Sequence, residues 1–244
     1  MKEKSILNTA IIALAIIITG YILGTNYKNR SQKPRTIEVT GMAEKNFSSD
    51  LIVWSGSFSK TNMDMKLASN ALKEDVEKVK IFLKEQNVPE KDILFSSVRI
   101  NKQYQTIYDA NGNSKSVFSG FELTQNVTIE SNNISQVEKV SRDISSLIDQ
   151  GVEFYSESPS YYYTKLSDLK IELIEEATKD ARLRANNIAV NSDGHLGKLL
   201  KGDMGVFQIT GRNSDEDYSW GGAFNTSSFE KTASITVHLV FSVR

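Results

Sequence analysis

The sequence predicts an α+β fold, an N-terminal transmembrane helix followed by a largely antiparallel sheet packed with three main helices. Three observations predict it. Residues 6–23, "ILNTAIIALAIIITGYIL", form an uncharged apolar run. Along residues 36–244 the hydrophobic period switches repeatedly between two and three-to-four. The resulting order, ββα, ββα, βα and then strands, stacks helices on antiparallel strands. At 244 residues, 39% hydrophobic and 24% charged, the chain is long enough to bury a sizeable core.

The run at 6–23 lies between Lys4 and Lys28, with no charge in between. Eighteen helical residues span about 27 Å, close to the roughly 30 Å hydrocarbon core of a bilayer. No polar face interrupts the run, which argues against a buried core helix. "YILGTN" lacks the small-residue pattern of a cleavage site, so residues 1–27 read as an uncleaved anchor, with a cleaved signal as the alternative. Residues 28–35 then form a polar tether. Lys2 and Lys4 favour a cytoplasmic N-terminus, while Lys28, Arg30, Lys33 and Arg35 pull the other way; long domains translocate largely regardless of such charges. The expectation is a single-pass protein of the cytoplasmic membrane, its body in the periplasm or outside the cell, or a soluble periplasmic protein if the signal is cleaved.

In the body, "TIEVTG" (36–41) reads as a short strand and turn, and "DLIVWSGSFS" (50–59) as a strand with Gly56 marking a bulge. Ala68, Leu72, Val76, Val79 and Leu83 recur at helical spacing within 64–86, a helix stopped before Pro89. Two long strands follow, joined at 109–114. Asp109, Asn111 and Asn113 alternate like calcium ligands, but a calcium loop wants Gly at its sixth position and an acid at its twelfth, where Ser114 and Gly120 stand. Asn-Gly between strand-like runs instead signals a hairpin.

Ile134, Val137, Val140, Ile144 and Leu147 line a second helix, capped by Asn132 or Asn133. "VEFYSESPSYYYTK" returns to strand, with Pro159 marking a break or an edge. Its adjacent Tyr161, Tyr162 and Tyr163 read as strand packing, with an aromatic platform as the alternative. The longest helix spans about 165–191, with Leu166, Leu169, Leu173, Ala177, Ala181, Ala185 and Ile188 as its stripe. The alanines suggest close approach to the sheet or to a neighbouring subunit. "GKLLKG", "GVFQITGR" and "ASITVHLVFSVR" supply the last strands, and the polar stretch between, about 213–230, reads as a mobile loop.

Little here looks like chemistry. The absence of cysteine removes disulfides, thiolate nucleophiles and Cys-ligated zinc. Residues 1–35 hold six of the 29 Lys and Arg and one of the 30 Asp and Glu, leaving 23 bases against 29 acids and a net of −6 on the body. That is a poor grip for phosphate backbones, so no nucleic-acid partner is expected. The two histidines, His195 and His238, are far apart in sequence. His195 follows a helix and Gly194, a usual helix stop, so Asp193 and His195 read as helix termination. Phosphate-loop, nucleophile-elbow, dinucleotide and metalloprotease motifs are all missing. Glu175-Glu176 and Asp215-Glu216-Asp217 read as solvated carboxylates. No catalytic, cofactor-binding or metal residue is therefore assigned.

Four segments in order resemble the SIMPL-domain family of bacterial periplasmic and envelope proteins, formerly a domain of unknown function. They are "IEVTGMAEKNFSSDLIVWSGSF", the helix leading to "EQNVPEKDILFSSVRINKQY", "GFELTQNVTIE", and "EEATKDARLRANNIA" running into "DGHLGKLL". The likeness covers about residues 36–244, the whole body. It implies an exported α+β domain with no established catalytic centre, in a family associated with envelope stress and, in some members, ring-like assemblies. The function expected is a non-enzymatic, membrane-tethered envelope protein, held through residues 6–23 and acting by self-association as a homo-oligomer or by binding a partner protein. The alternatives are an enzyme on an envelope substrate with scattered Tyr, Asp and Glu, or a ligand-binding module closing Tyr218, Trp220 and Phe224 over a small molecule.

Overall fold

A computed structural model describes residues 13–24, 35–108, 112–217 and 219–244. Residues 13–24 are helical (α1). Among the described residues no helix is long and apolar enough to cross a membrane. Residues 1–12 and 25–27 of the anchor expected at 1–27 and nearly all of the tether at 28–35 lie outside the described residues, as do Asp109 and Asn111 of the hairpin turn. The rest is α+β. Among the described residues ten strands form a four-stranded and a six-stranded sheet, and every strand pair with a defined register is antiparallel.

The chain forms two compact units. One comprises Met1–Met42, Glu176–Gly205 and Thr236–Arg244, the other Ala43–Glu175 and Val206–Ile235.

The second unit holds the larger core. Strand β1 (Thr36–Ser48) enters it at Ala43, and β2 (Leu51–Asn62) follows. Ile52, Trp54 and Phe58 of β2 point inward with no exposure, as a period of two requires. Gly56 lies in the same inward row, and β2 pairs without interruption from Ile52 to Asn62, so it marks no bulge. A Cβ there would lie 2.3 Å from the Phe154 ring, which stacks between Trp54 and Phe58. The glycine is space for an aromatic, a long-range fact that a local pattern does not carry. Helix α2 (Met65–Glu85) starts as expected, with the Asp64 carboxylate accepting the Lys66 and Leu67 N–H groups. It lays Ala68, Leu72, Val79 and Leu83 on the core.

A 3-10 turn (Glu90–Asp92) leads to β3 (Ile93–Phe95), β4 (Arg99–Tyr108) and β5 (Ser114–Ser131). β5 is the spine of this sheet, pairing with β2, β3 and β4. Helix α3 (Ile134–Asp143) is capped by Asn133 and continues as a 3-10 segment, Ile144–Gln150, ended by left-handed Gly151. Short strands β6 (Phe154–Ser156) and β7 (Ser160–Tyr162) pair with β2 on either side of the break at Pro159.

In the first unit, helix α4 (Leu166–Asn191) contributes its residues from Glu176 onward. Ala177, Ala181, Ala185 and Ala189 are fully buried, whereas Ile188 is 47% exposed. The stripe therefore ends on Ala189, not Ile188. Gly41 is not a turn. β1 runs through it, and a Cβ there would come within 2.2 Å of the Ala177 carbonyl and 2.6 Å of Ala181 Cβ. The small residues thus serve helix-to-strand approach within one chain. Asp180 locks the contact by accepting the Met42 N–H at 3.0 Å and Arg184 Nε at 2.9 Å. The Met42 N–H first and Arg184 second hold its carboxyl below the usual range. Strand β8 (Leu196–Met204) pairs with β10 (Glu230–Val243). Strand β9 (Gln208–Gly211), in the second unit, pairs with residues 231–234 of β10.

Candidate functional site

The two histidines have separate surroundings. Helix α4 stops on left-handed Asp193 (φ 54°), not on Gly194. An aspartate tolerates that conformation because its short side chain makes local hydrogen bonds. Gly194 instead donates its N–H to Ala189 O, and a Cβ on it would approach Val243 to 3.1 Å. His195 exchanges backbone hydrogen bonds with Arg244 at 2.8 and 3.0 Å, joining β8 to the end of β10. His238 is a partly exposed strand residue, 3.4 Å from Thr40 Oγ1 and 3.9 Å from Glu38. Among the described residues no three His, Asp or Glu are grouped to hold a metal.

The tyrosines serve packing. Tyr161 donates its hydroxyl to Glu138 at 2.8 Å, and Tyr163 packs on Phe47 at 4.9 Å between ring centroids. Burial first, then the Glu138 contact, pushes the Tyr161 phenol up to about 12. Of the three aromatics in the alternative ligand-binding reading, two are described. Trp220 is 99% exposed, Phe224 is bridged by its backbone to Ile209, and Tyr218 lies outside the described residues.

The stretch expected to be a mobile loop is strapped at its base. Gln208 accepts the N–H groups of Ser219 and Ala223 and donates to Ser219 O. Glu216, read as solvated, accepts the Gly211 N–H at 2.9 Å and the Asn225 amide. Those two bonds hold its carboxyl below the usual range. Lys231 is only 2% exposed. Its Nζ donates to Tyr161 O at 2.8 Å and to Asn225 O. Burial pulls the ammonium down to about 8, with Glu216 pulling the other way. Such a lysine suits nucleophilic work only beside a cavity. Lys231 is not part of the lining of the hollows beside Pro89, beside α3 or beside Lys80, and its bonds tie the loop to β7. Sequence reasoning missed it, although a signal exists: Lys231 precedes Ala233, Ile235, Val237 and Leu239 at the same parity, all buried.

A second buried charge was also missed. Asp75, on the core face of α2, lies 3.0 Å from Lys60 and 3.6 Å from Lys78. Those lysines also donate to the carbonyls of Gly151 and Gln150, which makes the cluster a brace for the end of the 3-10 segment.

The prominent surface is the β4–β5 hairpin. Among the described residues β4 pairs only with β5, and residues 114–120 of β5 pair only with β4, because β2 ends at Asn62, opposite Phe121. The result is a two-stranded ribbon extending past the sheet. Ile100, Tyr104 and Tyr108 are 52%, 58% and 73% exposed. Tyr104, Phe118 and Phe121 form a row of edge-to-face rings, with centroids 5.8 and 5.1 Å apart. Arg99 and Lys102 are the charges on β4. A ten-residue edge with an open row of N–H and C=O groups and so little charge is a template for strand pairing.

The SIMPL family model, described as a protein of unknown function (DUF541), matches residues 37–241. No curated protein matches the chain.

Proposed function

Since the chain belongs to the SIMPL family, a family of unknown function, we propose that it is a non-enzymatic envelope protein acting by self-association through the edge of β4. One observation carries this reading: the ten-residue edge of β4, with Ile100, Tyr104, Ile107 and Tyr108 exposed and only Arg99 and Lys102 charged, in a ribbon with no further strand paired to it among the described residues. Two-stranded ribbons are marginal in water by themselves, so a second layer or strand stabilises them. A second copy offers the same edge, and antiparallel edges are self-complementary about a two-fold axis. The apolar run at 6–23 supports tethering to the cytoplasmic membrane with the body outside, and protection against envelope stress is the role the family likeness implies.

The lack of cysteine makes the test clean. In the full chain, Gln105→Cys in β4 forms a copy-to-copy disulfide under mild oxidation, while Lys139→Cys on exposed α3 does not. Equal cross-linking at both positions, or none at Gln105→Cys, contradicts the reading.

A further inference from the structure

Beside α3 lies a hollow of about 620 Å³, lined by Ser49, Asp50, Asn132, Ile134, Glu138 and Phe229 among others. Two independent features point to a ligand there. The first is the N-terminus of α3, a ten-residue helix whose first-turn N–H groups lack acceptors within the helix. Asn133 takes the Gln136 N–H. The second is Ser49, 4% exposed, whose Oγ is buried without a hydrogen-bond partner. Buried hydroxyls are nearly always bonded, so an orphan on a hollow's wall calls for a missing partner.

The lining selects the partner's charge. Asp50 and Glu138 bring two carboxylates and no cation to the wall, which disfavours an anion in spite of the helix dipole. A cation is disfavoured in turn by that dipole, and the existing carboxylate bonds add to this. Both Asp50 oxygens are already engaged by Thr164, each at 2.7 Å, and Glu138 Oε1 accepts from Tyr161. A neutral molecule that both donates and accepts fits both limits. Asn132 donates its Nδ2 to Asp50 O at 2.7 Å, and its amide oxygen is an acceptor. Ser135 adds a hydroxyl, and the 37% exposed Phe229 ring adds an apolar face. Hydroxyl, amide and carboxylate groups around an aromatic face match the alternating polar edge and apolar face of a pyranose.

We propose that this hollow is a binding site for a neutral sugar ring, seated on Phe229 and hydrogen-bonded to Ser49, Asn132 and the first turn of α3. This goes beyond self-association, since none of its residues lies on β4.

The test is an amide NMR titration of the full chain in a detergent without a sugar headgroup, using N-acetylglucosamine, inorganic phosphate and putrescine as probes. N-acetylglucosamine is expected to move the amides of residues 132–135 and 229 saturably, with a millimolar Kd. Ser49→Ala weakens binding about fivefold, the worth of one hydrogen bond, and Phe229→Ala weakens it at least as much. Loss of an unpartnered hydroxyl leaves the melting temperature of free Ser49→Ala unchanged or raised, so the variant stays folded. No saturable shift with the sugar overturns the proposal. So does a response to phosphate or putrescine alone, or sugar binding that neither substitution alters; in that last case Ser49 is satisfied by water only.

Discussion

The two halves of β5 share one strand and differ in everything around it. Residues 121–131 have β2 along one side, with β4 against 121–124 and β3 against 127–129 on the other, and Leu123, Val127 and Ile129 are buried to 2% or less. Residues 114–120 have β4 alone, and Val117 is 38% exposed. Pairing with β4 continues into the ribbon past a register shift between Gln103 and Tyr104, so the presence of that partner does not by itself distinguish the halves. Cover does. The inner half is finished by its own chain, and the outer half presents aromatic rings and an open edge to whatever comes next.

The largest effect that separates the halves is on stability. Leu123→Ala is expected to cost about 3 kcal/mol through lost burial and a residual cavity, whereas Val117→Ala stays within about 0.5 kcal/mol. Denaturant titration of both variants checks this, and equal losses would erase the distinction. Asp75→Asn follows at about 2 kcal/mol. It strips the buried partner from Lys60 and Lys78, which are exposed enough for water to soften the loss.

A smaller effect sharpens the contrast in electrostatic terms. Lys231 titrates near 8 when folded and near 10.5 when unfolded. Between those values the unfolded chain binds more protons, so stability rises with pH. The cost of the buried ammonium is fully present below pH 8. The neutral amine keeps two N–H donors for its two carbonyl acceptors, so both bonds survive. Thermal melts from pH 8 to 10 should show the rise, and Lys231→Met should flatten it. Above pH 10 Tyr161 opposes the trend, because its raised value makes the folded state hold its proton longer than the unfolded chain does.

Local signals made much of this fold legible. The spacing of Leu72, Val79 and Leu83 located α2, and the alanine run located the face of α4. Asn-Gly located the hairpin whose strands pair from Tyr108–Ser114 inward. What stayed hidden depends on partners distant in sequence. Gly41 and Gly56 resemble turn and bulge markers, yet each makes room for residues about a hundred positions or more away. The left-handed residue after α4 is Asp193 although a glycine stands beside it, and a Cβ on Gly194 would come within 3.1 Å of Val243. The loop at 213–230 looked untethered because its straps, Gln208 and Lys231, lie on the strands flanking it. The α3 hollow was half legible: the Asn133 cap is a sequence signal, whereas the orphaned Ser49 hydroxyl appears only in three dimensions.

The most direct measurement is the absolute mass of residues 36–244 by light scattering after size exclusion, with Ile100→Lys/Tyr104→Lys alongside. The predicted result is a defined multimer that the double substitution reduces, with stability little changed. A monomer, or a multimer indifferent to charge on β4, would contradict self-association through this edge.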